Sequence, residues 1–483
     1  MTGPTAAGAA APGAAPAGVL LTDATVLTMD GARTAYERGW VWWEGEVIRG
    51  VGPASRPPDP PPGTTVLSLP GHVVLPGLVN AHGHASNNVM RGVFDELPLE
   101  VWIEGLMWKT LRQMDGEAAE AGATLALWEL MRQGVTTTAN SEFSWPHLDW
   151  SDGTLAAIRR SGVRCLYSRM TKDSPDPASP TFFVPEDARE TPALAIAEVE
   201  RLRRAFASPL VEICPEPVGP LWCTQEMVRA LHAWAVANGT PLLMHMNDSQ
   251  EERDEAQRRF GVGTVVQMER WGCLEAPQLY AHCTWLDDDE IRLLAEHRIG
   301  VAYDPVANAS YACGLARLPD LLAAGIPVGL GVDGASTNNS QNLWETAKAA
   351  ILMQKNALGD ANFGSAELAL ELLTIGGARA LHLDDHIGSL EPGKQADVIA
   401  IDLDRPSLAP RQTALSSLVY AFDTEALRHL WVAGEQRVRD GRHLLIDPAE
   451  AVESVNRQAE RQLQASGIDR IVRERMERRW SWQ

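Results

Sequence analysis

The chain has 483 residues, and its 42 Lys and Arg against 63 Asp and Glu leave a net charge of −21. A 45% hydrophobic and 22% charged composition is that of a globular enzyme, not of a disordered or fibrous chain. The acidic balance argues against a nucleic-acid or anionic-membrane partner, because phosphates would be repelled, and no apolar run reaches the roughly 18 residues that span a bilayer.

Residues 1–18 are rich in Ala, Gly and Pro and carry no charged side chain. Lacking a basic start and an apolar middle, they are expected to form a disordered tail and not a signal peptide. From 19 to 73 the pattern is short and strand-like, punctuated by turn residues such as PPDPPPG at 57–63. Eight apolar, β-branched runs follow, at 73–84, 134–142, 162–170, 209–217, 241–248, 278–285, 299–305 and 326–334, each leading into a helical pattern. That alternation predicts an α/β fold, a (β/α)8 TIM-type barrel over 74–387. A second strand-like region, 388–447, is expected to pair with 19–73 in a small β-sandwich domain built from both chain ends. A helical tail is predicted for 448–483. The six cysteines form no C-x-x-C pair and are too few for a disulfide framework, so a cytoplasmic setting is expected.

In such a barrel, catalytic groups project from the C-terminal ends of the strands. The first run ends in His82-Gly83-His84, and residues two apart on a strand face the same way. The fifth run ends with His245, the sixth with His282 and the eighth with Asp333. Singly, each has an ordinary reading: H-x-H is a weak motif, the other histidines fit a core, and Asp333 before Gly334 fits a turn. Together, at strand ends that the fold brings to one place, three histidines and a carboxylate form a donor set suited to zinc or iron(II). The remaining histidines, among them His232, His297, His382 and His386, receive no role.

The segments VLPGLVNAHGHASNNVMRG (74–92), DELPLEVWI (95–103), LMRQGVTTTAN (130–140), LYAHCTWL (279–286), LLAAGIPVGLGVDGASTNN (321–339) and GSLEPGKQADVIAIDL (388–403) resemble the amidohydrolase superfamily. Within it they resemble the branch of S-adenosylhomocysteine, guanine, cytosine and s-triazine aminohydrolases, over about residues 19–450. The resemblance implies one divalent metal ion, zinc first and Fe(II) second, held by His82, His84, His245 and Asp333. It places His282 beside the metal-activated water and the substrate, and it makes Asp333 the acceptor of the water proton. The implied activity is a deaminase acting on an amino-substituted nitrogen heterocycle, with release of ammonia. The alternatives are a chlorohydrolase or alkylaminohydrolase of s-triazine type and, from another class, a barrel retained as an inactive scaffold. A small-molecule heterocyclic substrate and a homo-oligomer are the partners it implies.

The chain departs from that pattern at two places. Where relatives carry a glutamate three residues after the fifth-strand histidine, this chain has Asp248. An aspartate can shuttle the same proton, but Asp248 with Glu251 also has the spacing of a helix cap, and Glu251 and Glu252 are reserve candidates. In DPVANASYACG (304–314), Asp304, Ala307 and Ser310 replace residues usual in relatives, while Asn308 is retained. The fourth run contains no lysine to bridge two metals; Glu212 or Glu216 is the only substitute there, so one metal is expected. On the substrate side Trp102, Met107, Trp108, Trp145 and Trp222 suit stacking on a planar ring, although core or lid packing explains tryptophans equally well. Asn87, Asn88, Glu142, Arg169 and Asn308 are the candidate polar contacts.

Overall fold

The computed structural model describes residues 18–479 other than 96, 98, 104–106, 145–148 and 180, with the backbone alone at 100, 101 and 475–479. Apart from Gly18, the expected tail lies outside the described residues.

Eight parallel strands carry the centre of the fold. Leu78–Asn80, Val135–Glu142, Arg164–Thr171 and Val211–Pro217 form one four-stranded sheet in sequence order. Leu242–Met246, Gln278–His282, Gly300–Tyr303 and Val328–Leu330 form a second. The two arcs meet at both edges. On one side Ala81 N donates to Leu330 O (2.8 Å), and Gly83–His84 pairs in parallel with Asp333–Gly334. On the other, His245 N donates to Val218 O (2.8 Å). This is α/β architecture of the TIM-barrel type. Every residue of Val135–Glu142 and Arg164–Thr171 is buried, as befits parallel strands covered on both faces. Val79, Ala81, Ala139, Leu166, Leu243 and Ala302 share one apolar cluster inside the arcs.

The connecting helices start where the sequence supplies an acceptor for an orphan backbone N–H. Asp115, Thr191, Thr224, Ser249 and Asp287 each cap the residue three positions on, and Asp287 with Glu290 completes a capping box. The last helices, Pro448–Ser466 and Asp469–Arg479, occupy the predicted C-terminal helical region. Ala451 and Val455 of the first pack on Ala121 and Leu125 of the Gly116–Met131 helix.

Both chain ends contribute strands to a nine-stranded sheet. The described strands form one continuous hydrogen-bonded sheet where a sandwich was expected. The reason lies in one pairing: Val398–Asp402 runs antiparallel to His72–Pro76, with Ile399 opposite Leu75. The two terminal regions therefore share hydrogen bonds along an edge, and the sheet curls so that they also face each other across a core. Trp43 and Trp431, one from each region, meet edge to face at 5.3 Å in the cluster this sheet encloses. The sheet is tied to the parallel strands by a buried ion pair, Arg164 with Asp397 (3.0 Å). Among the described residues no helix is long and apolar enough to cross a membrane.

Candidate metal centre and pocket

The pairing of Gly83–His84 with Asp333–Gly334 sets the geometry of the centre, because it lays the H-x-H segment against the end of the eighth strand. His82 Nε2 and His84 Nε2 lie 3.4 and 3.3 Å from Asp333 Oδ1. His245 Nε2, at the end of the fifth strand, is 3.3 Å from His84 Nε2. The donor atoms of His82, His84 and Asp333 all fall within 4.8 Å of one another, and so do those of His82, His245 and His282. The four strand ends singled out in the sequence thus converge on one point.

The outer nitrogens of these rings are occupied. His84 Nδ1 donates to Ser141 O (2.6 Å), His82 Nδ1 is 3.4 Å from Ser141 Oγ, and His245 Nδ1 is 3.1 Å from Glu216 Oε1. Ser168 Oγ donates to the other Glu216 oxygen. With Nδ1–H of His84 donating outward and Nδ1 of His245 facing a carboxylate, Nε2 of each ring is left as a lone pair directed inward. His82 Nε2 is buried without a hydrogen-bond partner. Burial holds the pKa values of His82 and His282 down at about 3, so both rings are neutral and fit to bind a metal at pH 7. Burial works against ionised Asp333, but the adjoining His82 and His84 rings outweigh it and hold the carboxyl well below its usual range. Inward lone pairs with a buried carboxylate and nothing to bind them fit a divalent cation.

Backbone strain marks the same place. His282 (φ 70°) and Asp333 (φ 57°) both adopt the left-handed region, at a cost of about 1–3 kcal/mol each that surrounding structure must support. Gly331 supplies part of that support: a Cβ there would collide with Asp304 Oδ1 and come within 2.8 Å of His82 Cβ.

Beside the donor cluster lies a chain of polar groups. Asn308 Nδ2 donates to Asp248 Oδ1 (2.9 Å) and faces His282 Nδ1 at 3.1 Å. The cap of the Gln250–Phe260 helix is Ser249, not Asp248. Asp248 uses its backbone N–H instead, donating to Glu252 Oε2 (2.7 Å), and its carboxylate is turned to the pocket. Glu252 is buried at the same wall, its pKa raised to about 7 by burial, whereas Glu251 accepts from Thr181 Oγ1 (2.9 Å). Asp304 is fully buried; one oxygen accepts from His282 N (3.3 Å) and the other has no partner. Burial, then the Asp333 and Asp248 charges, push its pKa well up.

A pocket opens over these groups, walled by Trp102, Ile103, Met107, Phe143, Phe182, Trp222 and Tyr311, with Asp248, Glu252, His282, Asn308 and Asp333 at its floor. Several candidate substrate contacts are placed elsewhere. Trp108 lies behind the wall, its ring 6.4 Å from that of Trp222. Asn88 is turned away: in the orientation that satisfies its amide it accepts from Ala126 N (3.2 Å) and Arg91 Nη2 (3.0 Å), while its neighbour Asn87 lines the pocket. Arg169 is buried in a two-pronged pair with Glu190. Strand parity explains that position. Leu166, Ser168, Met170 and Lys172 face the interior, so the odd-numbered Arg169 faces the helices. Glu142 accepts from buried Ser86 Oγ (2.6 Å) outside the lining. Trp145 lies outside the described residues. Lys172, Phe143 and Tyr311 line the pocket without having been singled out. For Lys172 the same parity was the available signal.

The Amidohydrolase family matches residues 73–437. A 5-methylthioadenosine/S-adenosylhomocysteine deaminase of Syntrophobacter fumaroxidans is 32% identical over 445 residues, covering 92% of this chain and 98% of the relative. A 5'-deoxyadenosine deaminase of Methanothermobacter thermautotrophicus is 30% identical over 423 residues, covering 88% and 93%. Among solved structures, an adenosine deaminase from Xanthomonas campestris with bound zinc superposes with a TM-score of 0.84 at 26% identity, covering 93% of this chain and 99% of that one. A zinc-complexed atrazine chlorohydrolase from Arthrobacter aurescens also reaches 0.84, but at 22% identity over 91% and 100% its likeness is one of fold.

Proposed function

The chain belongs to the amidohydrolase family and is an aminohydrolase of amino-substituted nitrogen heterocycles, and from that premise we propose a closed (β/α)8 barrel that uses a single divalent cation, zinc before Fe(II), to deaminate an adenine nucleoside. The observation that carries this reading is the convergence of His82, His84, His245 and Asp333 on one point, with the Asp248–Asn308–His282 chain on its pocket side. His82, His84, His245 and Asp333 would hold the cation, which when bound would supply the Lewis acidity that makes water a nucleophile at pH 7. One cation is favoured over two because Glu216 stands at His245 Nδ1, on the outer side of the ring, and Glu212 faces Arg203 at 3.5 Å.

The side chains divide the remaining work. Asp333, ionised and steadied by Thr337 Oγ1 (2.7 Å), accepts the proton of the attacking water. With Asn308 donating to Nδ1, His282 keeps its proton on Nε2 and offers it as a hydrogen bond to the ring atom that gains charge during attack. Asp248, oriented by Asn308, takes up the proton that Asp333 received from the water and delivers it to the departing amine. Trp102, Phe143 and Trp222 stack on the heterocycle and exclude water. Asn308 thereby acts through Asp248 and His282. A homo-oligomer belongs to the same reading and is read by light scattering.

The test is ammonia release from a panel of 5'-substituted adenosines, adenosine, guanine, pterins and triazines. Turnover of an adenine nucleoside, abolished by chelation and restored by metal, is the expected result. Chloride from a chlorotriazine, without ammonia from any amine, would favour the triazine alternative.

A further inference from the structure

Asp248 carries its carboxylate on a single methylene, so its backbone decides where the acid stands. That backbone is tied at both polar atoms. Asp248 N donates to Glu252 Oε2 (2.7 Å), and Asp248 O accepts from Thr284 Oγ1 (2.5 Å). The same hydroxyl donates to Asn247 O (2.7 Å), which also takes the Thr284 N–H (3.0 Å). Asn247 is fully buried and adopts the left-handed region (φ 50°), a backbone state that persists only where the surroundings support it. Its side chain is held as well: Nδ2 donates to Glu290 Oε1 (3.1 Å), and Oδ1 accepts from Thr264 Oγ1 (2.8 Å).

Thr284 is buried and lies two residues beyond His282. It borders a separate cleft, with Arg253, Trp285 and Leu315, and not the pocket. From there it touches no substrate and acts only through what it holds. What it holds, with one hydroxyl hydrogen shared between two successive carbonyls, is the backbone of the proton carrier. We propose that Thr284 is a positioning residue of the reaction: its hydroxyl clamps the Asn247–Asp248 backbone against the segment that follows the sixth strand, and so aligns an acid too short to align itself. Asn308 steadies the carboxylate at its tip (2.9 Å), and Thr284 steadies it at its root. This rests on the aminohydrolase reading, with Asp248 as the proton carrier, and adds to it the group that sets the acid in place.

Thr284→Val keeps the shape of the side chain and removes the hydroxyl. On metal-replete enzyme it should lower kcat for ammonia release by about tenfold or more, since a misplacement of about 1 Å can cost about 100-fold. KM and metal content should stay within about twofold, because Thr284 holds neither substrate nor a proposed ligand. Thr284→Ser, which keeps the hydroxyl, should recover most of the loss. A double-variant cycle separates positioning from general loosening. In an Asp248→Asn background no acid is left to align, so Thr284→Val should change the remaining rate by less than about twofold. A Thr284→Val with wild-type kcat overturns the proposal, and so does one that lowers the rate by the same factor with and without Asp248. Where Thr284→Val does not fold, Thr284→Ala against Thr284→Ser puts the same question, because the two differ in the hydroxyl alone; equal rates for that pair overturn the proposal. A wild type that releases no ammonia from any adenine nucleoside ends the aminohydrolase reading and the proposal together, whereas wild-type turnover beside an indifferent Thr284→Val ends the proposal alone.

Discussion

Replacing Glu216 by Gln probes how the metal centre is held without touching a proposed ligand. Glu216 Oε1 stands 3.1 Å from His245 Nδ1, and both residues are enclosed by the strands that carry them. The hydrogen bond from His245 keeps the Glu216 pKa below its ordinary value although burial pushes the other way. A hydrogen bond to a charged partner contributes about 1.5–3 kcal/mol against about 0.5–1.5 for a neutral one. Exchanging carboxylate for amide therefore removes about 1–1.5 kcal/mol of orientation and basicity at His245, or about tenfold in metal affinity. The Gln is isosteric and still accepts at that distance, so the fold should hold. Competition against a chelator of known affinity reads the change, and enzyme saturated with metal should recover most of its kcat. Unchanged affinity would refute the argument, as would a loss of kcat that excess metal does not restore, since Glu216 would then act on the reaction directly.

Asp248→Asn should lower kcat by about 100-fold or more, the usual contribution of a positioned acid–base group, with metal content unchanged; steady-state rates and metal analysis check both. Gly331→Ala places a methyl against Asp304 Oδ1 and His82 Cβ, and overpacking of that kind costs about 1–3 kcal/mol, visible as a lowered melting temperature and weaker metal retention. Glu142 is buried with its pKa raised from 4.5 to about 7, chiefly by desolvation. A folded-state pKa above the unfolded one favours the protonated form, so its stabilising contribution is complete below pH 4.5 and is lost as pH rises to about 7. Glu142→Gln should then gain stability relative to the wild type across that window and run parallel to it above; melting curves from pH 4.5 to 8 show whether the gap opens with that sign.

The candidate donor cluster was legible because the two periodicities that place its side chains are local. His82 and His84 share a face by strand alternation, and His245, His282 and Asp333 each end an apolar run. The convergence itself then follows from the fold. Arg169 misled because its position after the third strand was considered without its parity, which Met170 and Lys172 satisfy and Arg169 does not. Asn87 and Asn88 are adjacent on a short 3-10 helix, where one residue of rotation decides which faces the pocket, and no side-chain period in the sequence announces that rotation. Asp248 looked like a helix cap by spacing. The structure gives the cap to Ser249, one residue on, and frees the Asp248 side chain for Asn308. The sheet at the chain ends was legible as strands but not as one sheet, because the pairing of Val398–Asp402 with His72–Pro76 joins segments over 300 residues apart.

The most direct test of the account is metal stoichiometry beside ammonia release, measured on the wild type and on His245→Ala. The account predicts one equivalent of divalent metal per wild-type chain, and loss of both metal and ammonia release in the variant. Two equivalents per chain, or full deamination by protein verified to be free of metal, would contradict it.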